Sequence, residues 1–209
     1  MNIVSYNPNE VANIPAMMNQ QIAESTDNFI MFVFDSIANE MIDKQACCNA
    51  YKNFMLRFNL PFMIFPYYMH FNKILPDSIA KPNPRATIKL HKTGEVFDVI
   101  GQAAYGMLIV NKQRLSDIEF KFNERYAKAF YVQDLINRCY EKKIWLSNQY
   151  LIDIHNSWMM FKSNIREGYS VPPQIFLAEK EEFSKNNNDA SQAINEFIQL
   201  LKTNYGESA

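Results

Sequence analysis

Glycine is scarce in this chain, with 5 among 209 residues. Phosphate-cradling loops, nucleophile elbows and tightly turned β-barrels each consume several glycines, because only glycine takes positive φ without steric cost. That scarcity turns the reading away from glycine-dependent enzyme architectures. The chain is otherwise ordinary for a globular protein, 48% hydrophobic and 21% charged, which places it outside the disordered and collagenous classes. Its length favours one ordinary domain that buries roughly 70% of its unfolded surface and folds without staples.

The three cysteines, Cys47, Cys48 and Cys139, are an odd number with no CxxC spacing. Adjacent cysteines almost never close an ordinary bridge, so these read as buried, reduced thiols in a reducing compartment. The stretch Met1 to Asn7 carries no Lys or Arg and no continuous apolar run. It does not read as a secretory signal, and cytoplasmic synthesis is expected. Residues 54–71 are the most apolar segment, but Arg57, Asn59, Pro61, Pro66 and His70 interrupt them. A spanning helix needs about 20 mostly apolar residues with intact backbone bonds, so this segment reads as a core crossing or as a surface covered by another subunit.

Charge is segregated along the chain although the total is −1. Residues 1–43 hold six acids (Glu10, Glu24, Asp27, Asp35, Glu40, Asp43) and no Lys or Arg, a net −6. Residues 44–92 carry +7, residues 93–166 carry +2 and residues 167–209 carry −4. Two arrangements satisfy such a pattern: the segments pack against each other within one molecule, or the acidic face of one copy meets the basic face of the next and builds a ring or filament. The interaction residues it singles out are Asp27, Asp35 and Glu40 on the acidic side and Arg85, Lys89 and Lys92 on the basic side.

Periodicity reads mostly as helix. Ser25-Thr26-Asp27 resembles an N-cap cluster, and Phe29, Val33, Ile37 and Met41 recur every four residues behind it, which predicts a buried-face helix. Residues 46–58 continue in helical rhythm through Tyr51, Phe54, Met55 and Phe58 until Asn59 and Pro61 break it. The middle changes period. Ala86 to Leu90 and Val96 to Ile100 are short β-type runs around a turn containing Gly94, which predicts a hairpin. Tyr105 to Val110 and the alternating Ile118 to Phe122 fit further strands, and the latter fits the opening of a helix equally well. Helix is expected from Asn123 to about Lys143, and again from Ser147 to about Gly168. Pro172-Pro173 starts a polar helix, Asn186-Asn187-Asn188 interrupts it, and Asp189 or Ser191 caps a last amphipathic helix. The expected fold is therefore mainly α (α+β), a helical bundle with a small central β-hairpin or antiparallel sheet insertion. Residues 1–171 would form the helical domain, with the insertion at about 86–122, and 172–209 a C-terminal helical arm.

The catalytic inventory is thin. His70, His91 and His155 are widely separated, and neither HExxH nor a Cys/His zinc spacing occurs. Asp153 and His155 point about 200° apart on one helix, though they would share a face on a strand, and Cys139 with His155 is the sole nucleophile-base pairing imaginable across two helices. Glu181-Glu182, and Glu40 with Asp43, read as solvated faces. No catalytic residue, cofactor or metal is expected. The run from Phe120 to Tyr131 interleaves aromatics with bases, the requirement for single-strand binding, yet the same spacing suits an amphipathic element that buries its rings. The basic hairpin with Arg85, Lys89, His91 and Lys92 is the better phosphate-contact site, or faces an acidic protein surface.

Acidic helices, a central hairpin at Ala86 to Ile100 and further helices give an order that resembles subunits of the neck of tailed bacteriophages. Those connector and gatekeeper proteins have a helical body with a β extension that pairs or packs against neighbours in a ring. The resemblance is architectural, spans residues 25–165 and includes no diagnostic motif, so no family site residue is carried over. It implies a non-enzymatic virion protein, assembled in the host cytoplasm, that forms a homo-oligomer joining rings around a DNA channel. Its partners would be copies of itself and other structural proteins, with non-specific DNA contact through the basic hairpin and no membrane. A small helical adaptor or inhibitor of a host protein, cytoplasmic in location, is the rival reading.

Overall fold

Six consecutive residues, Phe29 to Phe34, are buried without exception, and Ile30, Met31, Phe32 and Val33 have no exposed surface at all. A strand has two faces, so a run with no exposed position needs neighbours at both edges and cover on both sides. The computed structural model supplies this setting; it describes residues 1–35, 38, 48–49, 51–53, 55–56, 61–66, 86–90, 96–99, 105–117, 119–141, 171–186, 191–204 and 206–208.

The chain is α+β. Its larger sheet has four strands in the order β1-β2-β6-β3, where β1 is Asn2–Tyr6, β2 is Phe29–Phe34, β3 is Phe62–Pro66 and β6 is Tyr105–Asn111. β1 runs parallel to β2, from Asn2↔Ile30 to Tyr6↔Phe34. Parallel neighbours need a crossover, and helix α1 (Ile14–Glu24) provides it. β6 lies antiparallel to both β2 and β3, with a register shift at Phe65/Pro66. A second sheet has the order β5-β4-β7, from the hairpin of β4 (Ala86–Leu90) with β5 (Val96–Val99) and the late strand β7 (Gly206–Ser208). The remaining helices are α2 (Lys112–Asp117), α3 (Tyr131–Glu141), α4 (Pro173–Asn186) and α5 (Ser191–Asn204).

The helix expected behind Ser25 is not there over Phe29 to Phe34, which is strand. A continuous apolar run of six fits a buried helix and a central strand equally by periodicity, and two flanking strands decide it here. Ser25 instead ends α1: its N–H donates to the Gln21 carbonyl at 3.0 Å, and its Oγ accepts from the Asp27 N–H at 3.1 Å. Lys112 Nζ donates to the carbonyls of Ala23 and Ser25 at 3.2 and 2.7 Å, a cation set on the negative end of α1. Helix α1 itself was not legible as one, although Asn13 caps it by accepting from the Ala16 N–H at 3.0 Å and Pro15 sits in its first turn.

Elsewhere the expectations meet the structure directly. The β4–β5 hairpin forms in antiparallel register from Ala86↔Val99 to Lys89↔Val96, and Tyr105–Asn111 is a strand. The helical rhythm of 46–58 holds at 48–49, 51–53 and 55–56, where Tyr51 and Met55 are buried. Phe54 and Phe58 lie outside the described residues, as do the helix expected from Ser147 to Gly168 and all of 67–85. Helix α4 starts at Pro172-Pro173 and stops at the asparagine run as expected, and α5 begins at Ser191. No helix among the described residues is long and apolar enough to cross a membrane.

Of the alternating stretch after α2, residues 119–122 are neither strand nor helix. Glu119 adopts φ 51°; its N–H donates to the Ser116 carbonyl at 3.0 Å, and the Phe120 N–H donates to the Leu115 carbonyl at 2.9 Å. This is a Schellman stop with glutamate in the left-handed position that glycine usually fills, and Leu115 and Phe120 are both buried beside it. The helix expected from Asn123 begins only at Tyr131. Replacing Glu119 by glycine should raise unfolding stability by about 0.5–1 kcal/mol, since the left-handed strain removed exceeds the added freedom of the unfolded chain. Urea titration checks this, and a loss of stability would contradict the assignment of strain to Glu119.

Candidate functional site

Residues 119–130 are irregular backbone lying against buried rings, and such backbone needs hydrogen-bond partners that no strand supplies. Side chains provide them. Asn19 on α1 meets Phe122 in both directions: Nδ2 donates to the Phe122 carbonyl and Oδ1 accepts from its N–H, both at 3.0 Å. Asn13 Nδ2 donates to the Glu124 carbonyl at 2.8 Å, and the Ile14 N–H donates to the Ala127 carbonyl at 2.9 Å. Arg138 on α3 donates from Nε to Asp134 at 2.7 Å and from its terminal nitrogen to the Lys121 carbonyl at 2.9 Å. Its guanidinium lies 4.3 Å from the centroid of the Phe120 ring.

The end of this stretch forms the candidate site. Consecutive N–H groups of Lys128, Ala129 and Phe130 converge ahead of α3, where the unpaired amides of a helix start carry partial positive charge. The carboxylate of Glu179 fills that concavity. One oxygen accepts from the Lys128 N–H at 2.9 Å, and the other accepts from Ala129 and Phe130 at 2.7 and 3.4 Å. Glu179 is only 7% exposed, although it comes from α4, 50 residues downstream.

Helix geometry explains how α4 delivers it. Phe176, Glu179 and Phe183 fall at i, i+3 and i+7, one face of a helix. Phe176 and Phe183 flank the Phe130 ring at 5.3 and 5.0 Å, and Phe183 meets Tyr126 edge-on at 5.6 Å. Beneath them Lys128 Nζ donates to the Pro8 carbonyl at 2.7 Å in a buried setting. Burial holds the Lys128 ammonium below the ordinary lysine pKa, and the Glu179 charge opposes that shift. Each oxygen of the carboxylate is engaged, so the cluster latches α4 to the backbone ahead of α3. To either side of that face Ile175 and Leu177 stay 36% and 63% exposed, and Phe176 itself keeps 41% of its surface exposed beside Phe130.

The interaction residues marked by charge do not gather into one site. Asp27 is exposed at the entrance to β2, and Asp35 is half-buried and helical at its exit, roughly 20 Å of strand apart. Lys89 sits in the other sheet, opposite Val96 of β5 and Glu207 of β7. That register sets the basic segment 44–92 beside the acidic segment 167–209 within one molecule. Arg85, Lys92 and Glu40 lie outside the described residues, as do His70, His91, His155, Asp43 and Cys47. Cys139 is carried on α3. Cys48 is free and buried, and burial pushes its pKa up. Among the described residues no group of His, Cys, Asp and Glu is arranged to hold a metal ion. Phe120, Phe122, Tyr126 and Tyr131 are buried, which leaves those rings no face for stacking bases. Glu181 is exposed and pairs with Lys185 at 2.6 Å, a solvated face as its surroundings predict.

The residues that build the latch were hidden in plain types. Lys128 looks like one more base between aromatics, and Glu179 like one acid of a polar helix. The legible signal was the aromatic-acid-aromatic spacing of Phe176, Glu179 and Phe183. Comparison of the chain with protein-family models, with curated proteins and with solved structures finds no match.

Removing the Glu179 carboxylate leaves three amides without an acceptor and Lys128 without its counter-charge. Glu179→Ala should therefore lower unfolding stability by about 2–4 kcal/mol, whereas Glu181→Ala, two residues along and exposed, should leave the thermal transition unmoved. Equal effects of the two would contradict the latch. A second expectation concerns pH. A base with a depressed folded pKa costs stability while charged, and the cost is relieved as pH rises from that depressed value to the ordinary 10.5. Wild type should accordingly gain stability relative to Lys128→Met as pH rises toward 10.5 in urea titrations; a difference that falls instead would refute the burial penalty.

Proposed function

We propose that the protein is a non-enzymatic assembly subunit that forms a homo-oligomer by joining its arm and its charged segments to neighbouring copies. A ring in the head-tail connector or neck of a tailed phage virion, assembled in the host cytoplasm, is the setting that the ordering of charge and β elements supports. The observation that carries the reading is the pair of exposed flanks of α4. Ile175 and Leu177 are exposed on either side of Phe176, which packs on Phe130, on a helix that Glu179 fixes to the body. Large apolar residues left exposed this close together are a liability unless a partner covers them. The segregated charge adds orientation to that contact, since opposite faces steer copies head to tail.

Self-association follows directly and is read by light scattering. The purified chain should give a defined oligomer whose mass falls as salt screens the charged contacts. The variant Ile175→Ser/Leu177→Ser should shift it toward monomer, and so should Arg85→Glu/Lys89→Glu/Lys92→Glu at low salt. A wild-type monomer at every salt and protein concentration would overturn the proposal.

A further inference from the structure

We infer that α4 is an acid-released strap: protonation of the Glu179 carboxylate frees the helix from the bend at Tyr126–Phe130 while the sheet stays folded. The release occurs within one chain and does not depend on the assembly reading above.

An ionised carboxylate only accepts hydrogen bonds, and this one faces three donors. One oxygen takes the Lys128 N–H at 2.9 Å, and the other takes those of Ala129 and Phe130 at 2.7 and 3.4 Å. A proton on either oxygen turns that acceptor into a donor aimed at an N–H, so part of the latch is lost whichever oxygen it joins. The same proton removes the negative charge that offsets the burial of the Lys128 ammonium, held by the Pro8 carbonyl beneath α4. Release of α4 returns both groups to water. Opening therefore takes up a proton, and the latch weakens as pH falls.

Among the described residues Lys128 is the ionisable group directed at Glu179 from the bend. Asp134 on α3 turns to Asn123 and Arg138, Glu10 beyond Pro8 accepts from Asn7, and on α4 itself Glu182 accepts from Asn186 while Lys180 is exposed. Each of the other acids thus has a partner of its own.

Acid acts on the strap before the body because of where the ionisable groups lie. Phe29 to Phe34 and Leu108 to Val110 pair in the middle of the larger sheet, and their buried side chains are apolar, with nothing to titrate. Helix α4 holds to the bend through Glu179 and through the Phe176 and Phe183 rings on Phe130 and Tyr126. Glu179 is its buried residue, Phe183 is half-buried, and Pro172 to Ala178 are exposed, so little apolar surface opposes release once the carboxylate is neutral.

Fluorine NMR separates release of the strap from unfolding of the body. The full chain is prepared with 4-fluorophenylalanine at position 183, where the Phe130 and Tyr126 rings shift its resonance, and separately at position 32 inside β2. Each sample is titrated from about pH 7 to about pH 3, the span in which carboxylates take up protons. Release predicts that the signal at 183 moves to its value in the urea-unfolded chain while the signal at 32 keeps its native position. Glu179→Gln, which mimics the protonated side chain, should bring the signal at 183 to the released position already at pH 7, with that at 32 unmoved. A signal at 183 that stays native while acid is added, or that moves only together with the one at 32, overturns the strap. So does a Glu179→Gln chain that keeps the wild-type position at 183 at neutral pH.

Discussion

Buried backbone without a ladder must find its hydrogen-bond partners in side chains, and residues 119–130 impose that demand on the rest of the molecule. Asn13 and Asn19 answer it from α1, Arg138 from α3 and Glu179 from α4. Each answer ties a different element to the same stretch, so a segment with no secondary structure of its own becomes the junction of the N-terminal βαβ unit, α3 and the arm. An unsatisfied buried amide costs about 1–3 kcal/mol, a large share of a small domain's stability. These few polar side chains therefore decide where the helices sit, while the apolar strands decide only that there is a core.

Much of the fold was legible where local chemistry and tertiary setting agree. The hairpin around Gly94, the strand at Tyr105–Asn111, and the two late helices behind Pro173 and before Asn204 follow from turn residues, alternation and caps. Phe29–Phe34 was read as helix because Phe29, Val33, Ile37 and Met41 recur every four residues behind a capping cluster, a spacing that a continuous apolar run satisfies as readily when it is a strand. Its state was fixed by β1 and β6, partners separated from it in sequence. Phe120 and Phe122 are instructive in the same way. Their alternation correctly marked alternate burial, but the partner of the extended backbone is the side chain of Asn19 and not a strand.

The candidate site was less legible than the fold. Charge counting marked Asp27, Asp35 and Lys89, which the structure sets at the ends of β2 and in the second sheet, whereas the buried carboxylates among the described residues are Asp134 and Glu179. Net charge reports on long-range attraction and solubility, not on which charge is desolvated. A buried carboxylate is identified by what it replaces, here the missing acceptors ahead of α3, and that need appears only once the backbone is folded. The β4–β7 register repeats the theme at lower burial, placing Lys89 of the basic segment opposite Glu207 of the acidic one. The molecule thus contains its own version of the acid-to-base contact that an assembly of copies would use.

The central claim is that one carboxylate satisfies three consecutive amides and so holds the arm. Hydrogen exchange at the Lys128, Ala129 and Phe130 amides, resolved by NMR, reads it most directly. The account predicts that all three are protected in wild type to a degree comparable with the interior of α3, and that all three lose protection together in Glu179→Ala. Exchange of these amides at the rate of free peptide in the wild-type chain, or protection that survives the substitution, would contradict it.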